Sequence, residues 1–155
     1  MLALRLVRLI EAHAEPLARS LMLKVVADGR CTDYGNVPPG ELQARVREIY
    51  RHLGEWLVNR GEEMLRNRYM EIGARRFHQG VSAAALTWAI LAVKEQLIEF
   101  LESEGFVDDS VELVGEFELF RQVDSFFDRA VYYAICGYEQ ERAALQEQQL
   151  ALSSA

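Results

Sequence analysis

Three observations predict an all-α fold. Apolar residues recur at three- and four-residue spacing along nearly the whole chain, no stretch alternates as a strand would, and Pro and Gly gather in one loop and a few corners. With 155 residues and 50% hydrophobic side chains, the chain can bury one sizeable core. The expected architecture is an antiparallel bundle of about five helices whose last member is long.

Leu6, Ile10, Ala14, Leu17, Leu21 and Val25 mark one face of a first helix that ends at Gly29. Pro16 predicts a kink or break near His13 to Glu15, because its ring lacks an N–H and crowds the preceding turn. The stretch DGRCTDYGNVPPG reads as a loop. Pro39 suits the first position of a second helix, and Leu42, Val46, Ile49, Leu53, Trp56 and Arg60 trace its stripe as far as Gly61. Leu65, Tyr69, Ile72 and Arg76 give a third helix, closed by a corner at Gly80. Ser82 caps a fourth, which carries Leu86, Ile90, Val93, Leu97 and Phe100 up to Gly105. Asp109 and Glu112 form a capping-box-like pair opening the fifth, which meets no strong breaker before the C-terminus.

The net charge of -7 argues against a nucleic-acid partner, since no basic excess exists to displace phosphate counterions. The carboxylates crowded between Glu95 and Glu118 read as a solvated helix-loop-helix corner, without the spacing of a cation-binding loop. The longest weakly polar run, Val81 to Val93, stops at Lys94, short of the roughly 20 residues that cross a bilayer. Arg5 and Arg8 interrupt the apolar N-terminus, which does not read as a secretion signal, so a cytoplasmic location without membrane contact is expected. Cys31 and Cys136 make neither a CxxC pair nor a disulfide framework; Cys136 reads as a core residue, and Cys31 raises the alternative of a redox-sensitive thiol.

No GxGxxG, P-loop, HExxH or GxSxG occurs, and no base stands beside a nucleophile, so no catalytic residues and no enzyme activity are expected. His13, His52 and His78 each lack a second ligand at helical spacing, so no metal site is expected.

His78 raises a sharper question, because it lies just before the Gly80 corner in IGARRFHQGV. An all-α chain with such a corner resembles the globin-coupled sensors, whose haem histidine stands four residues before the glycine. Here that position is Arg76, and His78, two residues on, is turned about 200° around the helix. The resemblance therefore implies a globin-like fold that holds no haem and needs no cofactor. A haem-binding gas sensor using His78 is the alternative. Tyr69, Arg76, Phe77 and Trp88 are candidates to line an apolar pocket near this corner.

The segment EIGARRFHQGVSAAALTWAILAVKEQLIEFL resembles the centre of RsbRD N-terminal-type domains, the sensory modules of stressosome co-antagonist proteins. The likeness extends more loosely over EIYRHLGEWL and FFDRAVYYAICGYEQE. It implies a sensor that passes a stimulus to a protein partner or to a linked output domain of kinase or STAS type, either as a stand-alone regulator or as the sensing portion of a longer one.

Asp124 falls among Phe117, Phe120, Phe127 and Val131 on the expected apolar face of the last helix. A lone buried carboxylate needs a partner, so an ion pair with Arg76 or Arg75 is expected. Phe117, Asp124, Val131, Tyr138, Leu145 and Leu152 recur every seven residues, with Phe120, Phe127 and Ala134 filling the seam, as in helices packed lengthwise. Glu141 and Gln148 then weaken the seam. Residues 1–138 are expected to form the sensor domain, and 139–155 a helical tail that projects to a second subunit of a homodimer or into an output domain. A frayed end is the alternative reading.

Overall fold

In a computed structural model the described residues are 2–59, 61–104 and 110–154, with side chains described for 4–59, 61–104 and 117–154. The elements are α1 (Leu2–Ala27), a 3-10 segment (Gly29–Asn36), α2 (Pro39–Asn59), α3 (Glu62–His78), α4 (Ala83–Ser103) and α5 (Ser110–Ser153). The all-α architecture and the long final helix agree with the expectation. Gly105, the Asp109–Glu112 capping pair and Arg60 lie outside the described residues or side chains.

The stripes are buried much as their spacing requires. Leu6, Ile10, Leu17, Leu21 and Val25 of α1 meet Leu42, Val46, Ile49, Leu53 and Trp56 of α2 and Leu86, Ile90, Val93 and Leu97 of α4 in one core. Ser82 caps α4 by accepting the Ala85 N–H at 3.1 Å. Gly80 takes the left-handed φ of 74° that its corner demands, a conformation open to glycine at little cost.

Three expectations change. Pro16 does not break α1, which runs through it as one helix of 26 residues. The proline sits on the exposed side, so the ring meets water and the apolar stripe on either side of it stays in register. The predicted loop contains the 3-10 segment, whose Cys31 and Tyr34 are buried under α4 and α1. Burial pushes the Cys31 thiol up to about 11, the opposite of what a redox-sensitive thiolate requires.

The seam on α5 is also displaced. Among its described residues Leu119, Val123, Phe126, Phe127, Ala130, Ala134 and Tyr138 are buried apolar side chains, whereas Phe117 is 68% exposed. These positions advance in steps of three and four around a 3.6-residue turn, from which a strict seven-residue count drifts by about 20° per repeat.

Among the described residues, the closest approach of two helices is between α3 and α5. Glu62 accepts from Arg129 and Tyr133 at one end, and His78 meets Glu141 at the other, so this pair runs parallel. A Cβ on Gly73 would lie 1.8 Å from the Ala134 carbonyl oxygen, and one on Gly137 would lie 2.0 Å from that of Met70. The two backbones touch where any side chain would hold them apart.

Candidate functional site

Arg76 ends the buried stripe of α3 and is only 3% exposed. Helical spacing from Leu65 and Tyr69 turns it inward, where a guanidinium keeps its charge and must be paired. Its Nη1 donates to Gln79 Oε1 at 2.6 Å and to Glu41 Oε1 at 3.1 Å. Glu41 stands in the first turn of α2, where the helix N-terminus favours a negative charge. It also accepts from Arg75 Nε, and from Gln79 Nε2 at 3.1 and 3.2 Å. The Arg75 hydrogen bond, supported by those from Gln79 and Arg76, holds the Glu41 carboxyl down at about 2 against desolvation. The Arg76 guanidinium lies 5.7 Å from the centroid of the Tyr34 ring, whose hydroxyl burial pushes up to about 12. α2, α3, the Gly80 corner and the 3-10 segment are thereby tied at one polar knot.

Beside this knot is a cavity of 40 Å³, lined by Tyr69, Arg76, Ile72, Leu86, Ile90 and Val93 among others. That is room for about one water, whereas a small-molecule pocket needs roughly 300 Å³. Tyr69 and Arg76 both line this cavity; Phe77 and Trp88 do not. Phe77 packs edge-on against Tyr138 at 5.4 Å. Trp88 lies toward the 3-10 segment, donating to Asp28 Oδ2 at 3.2 Å beneath the Arg30 guanidinium, which stacks 3.7 Å from its centroid. The four aromatic and cationic candidates therefore line no common pocket.

The expected Asp124 pair with Arg76 or Arg75 does not form. Asp124 is exposed, because the buried row of α5 passes through its neighbour Val123, and it accepts from Lys94 Nζ at 2.7 Å. Glu41, Gln79 and Tyr34 take the role assigned to it.

Haem does not fit these residues. The inward position holds a guanidinium, which has no lone pair to offer iron, and His78 is 55% exposed with its Nε2 2.7 Å from Glu141 Oε1. Among the described residues, no group of three or more His, Cys, Asp and Glu is placed to hold a metal ion.

The family "RsbT co-antagonist protein rsbRD N-terminal domain" matches residues 8–152. The chain belongs to the RsbRD N-terminal domain family. This membership assigns the RsbRD-type domain to stress-response signalling, and it carries the resemblance through the glycine corner and into the exposed end of α5. No curated protein and no solved structure matches the chain. No described helix is long and apolar enough to cross a membrane.

Among the described residues of the RsbRD-type domain, three buried polar atoms have no hydrogen-bond partner: His52 Nδ1, Trp56 Nε1 and Tyr69 Oη. Tyr69 contacts His52 edge-on at 5.9 Å. Burial holds the His52 imidazole down at about 4, so it is neutral. The sequence placed His52 beside the α2 stripe; that α3 would cover it from the other side was not readable.

Proposed function

We propose that this chain is a non-enzymatic sensor module that relays a stimulus through helix packing to a protein partner or a linked kinase- or STAS-type output domain. The observation that carries the reading is α5 itself. It runs without a break from the Gly73–Gly137 crossing, where it touches the α3 backbone, into a segment whose residues 146–153 are all exposed. Direct backbone contact leaves no layer of side chains to absorb a shift of α3, so α5 must move with it. His78 and Glu141 join the two helices again just beyond Tyr138.

Residues 1–138 act as the sensing bundle and 139–155 as its lever. At about 15 residues such a segment is marginal as an isolated helix in water. Leu150 and Leu152, 69% and 79% exposed, are its apolar contacts for a second copy, giving a homodimer, or for the output partner. Arg76, a fixed charge at the corner where a haem-binding relative would carry histidine, fits a non-haem member of a globin-like group. The reading includes a cytoplasmic location.

Truncation after Tyr138 tests this proposal. Sedimentation of the full chain is expected to give a dimer and of the truncated chain a folded monomer. An unchanged association state together with an unchanged melting temperature refutes the relay.

A further inference from the structure

A second pocket, of about 220 Å³, opens between the last turns of α1, the start of the 3-10 segment and the middle of α4. That is less than the roughly 300 Å³ of most small-molecule sites, yet at about 30 Å³ for each water-sized group it takes on the order of seven of them. Leu21, Val25 and Ala92 give it an apolar wall. Its polar groups are unequally committed.

Asp28 accepts from the Arg30 backbone N–H at 2.8 Å, from Arg30 Nε and Nη2 at 3.0 and 2.9 Å, and from the Trp88 indole at 3.2 Å, so its carboxylate is fully used. The same contacts pin the Arg30 guanidinium over the Trp88 ring, as a fixed lip of the pocket. Lys24 pairs with Glu99 at 3.7 Å across the rim. With these two pairs cancelled, Glu95 is the charge left over, and among the described residues it makes no ion pair. The C-terminal end of α1 adds the partial negative charge of a helix terminus to the same wall. At the floor lies Gln96, 6% exposed, whose Oε1 accepts from the Tyr50 hydroxyl at 3.2 Å. Among the described residues nothing accepts from its Nε2, which leaves a buried amide donor facing the pocket without a partner.

We propose that this pocket binds a short primary amine carrying a neutral oxygen, an amino alcohol or an amino amide. Its ammonium sits on Glu95 at the rim, its chain lies over Leu21, Val25 and Ala92, and its oxygen accepts from Gln96 Nε2 at the floor. Each end thereby matches a group that the protein leaves unused. A carboxylate at the floor meets a neutral amide alone, because Lys24 and Arg30 are already paired, and its burial there is costly. A metal ion fits no better, since the carboxylates of this pocket form no group of three placed to hold one. The site is independent of the relay reading, because occupancy is read directly on the pocket.

The test follows the assigned side-chain amide of Gln96 in proton–nitrogen NMR spectra of the full chain. 4-Amino-1-butanol is expected to shift that signal saturably, whereas butylamine, which lacks the oxygen, and 4-hydroxybutyrate, which replaces the cation by an anion, bind more weakly. Glu95→Gln, at an exposed position, is expected to leave the melting temperature unchanged while weakening the amino alcohol by about fivefold, the order of an exposed charge pair. The proposal is overturned by a Gln96 signal that does not move, by butylamine or 4-hydroxybutyrate binding as tightly as the amino alcohol, or by binding that Glu95→Gln does not alter. Failure of this site leaves the truncation experiment on the α5 segment untouched.

Discussion

Glu41→Gln tests the polar knot at the glycine corner most directly. In the folded chain the carboxyl is held at about 2 rather than its ordinary 4.5, chiefly by Arg75 and then by Gln79 and Arg76. That depression corresponds to roughly 3 kcal/mol of folding stability at neutral pH before screening. Glu41 is 16% exposed and Arg76 3%, but Arg75, the largest contributor, is 50% exposed, so solvent screening takes part of that figure. Removing one partner of a buried pair, at about 3–5 kcal/mol, gives the same order from a different direction. Because the folded value lies below the unfolded one, the contribution is complete above pH 4.5 and disappears as the pH falls toward 2. His52 acts at a higher window. Its imidazole stays neutral in the fold down to about 4 and takes up a proton near 6.5 when unfolded, so stability falls as the pH drops through that interval. Urea denaturation followed by circular dichroism from pH 7 downward should therefore show Glu41→Gln lying up to about 3 kcal/mol below wild type, with parallel curves until roughly pH 4.5 and convergence below it. The double variant Glu41→Gln with Arg76→Met should recover part of the loss, since no buried charge is then left unpaired. A loss under about 1 kcal/mol at pH 7, or curves that stay parallel in acid, would falsify the assignment of Glu41 as the partner of the buried arginine.

Gly73→Ala and Gly137→Ala should each destabilise by about 3 kcal/mol or more, because each new methyl meets a carbonyl at 1.8 or 2.0 Å and the helices must part. Gly54→Ala, whose Cβ would sit 3.6 Å from Val7, should instead stabilise by up to about 1 kcal/mol; equal melting temperatures for all three would sink the backbone-contact argument. A double-mutant cycle between Asp124→Asn and Arg76→Gln should be additive, while Asp124 and Lys94 should couple by less than about 1 kcal/mol, as their exposure implies. Mixed with hemin, the chain should show no stoichiometric Soret shift on reduction; a spectrum lost in His78→Ala would contradict the inward placement of Arg76.

The corner shows why some of the site was legible and the rest was not. Arg76 could be placed inward from Leu65 and Tyr69 alone, since helical rotation is a local property, and the same rotation carried His78 outward. Its partner could not be found this way. Asp124 was the only carboxylate expected on an apolar face, yet Glu41, in the polar first turn of α2, is the one that α2–α3 packing brings to the guanidinium. Nothing along the chain relates positions 35 residues apart. Gly73 and Gly137 carried a readable signal, glycines inside helices with no turn to make, but that signal names a close approach without naming what approaches.

Periodicity by itself determined where the α-helices lie, which faces of α1 to α4 are apolar and that the chain turns at Gly80, because a buried stripe and a left-handed glycine are consequences of backbone geometry within a few residues. The tertiary structure alone decided that α3 lies parallel on α5 with their backbones touching, that the space at the corner is closed around Arg76, and that an open pocket forms between α1 and α4. Those outcomes depend on how whole helices cross, and crossing is set by the summed packing of residues far apart in sequence, which no local spacing encodes.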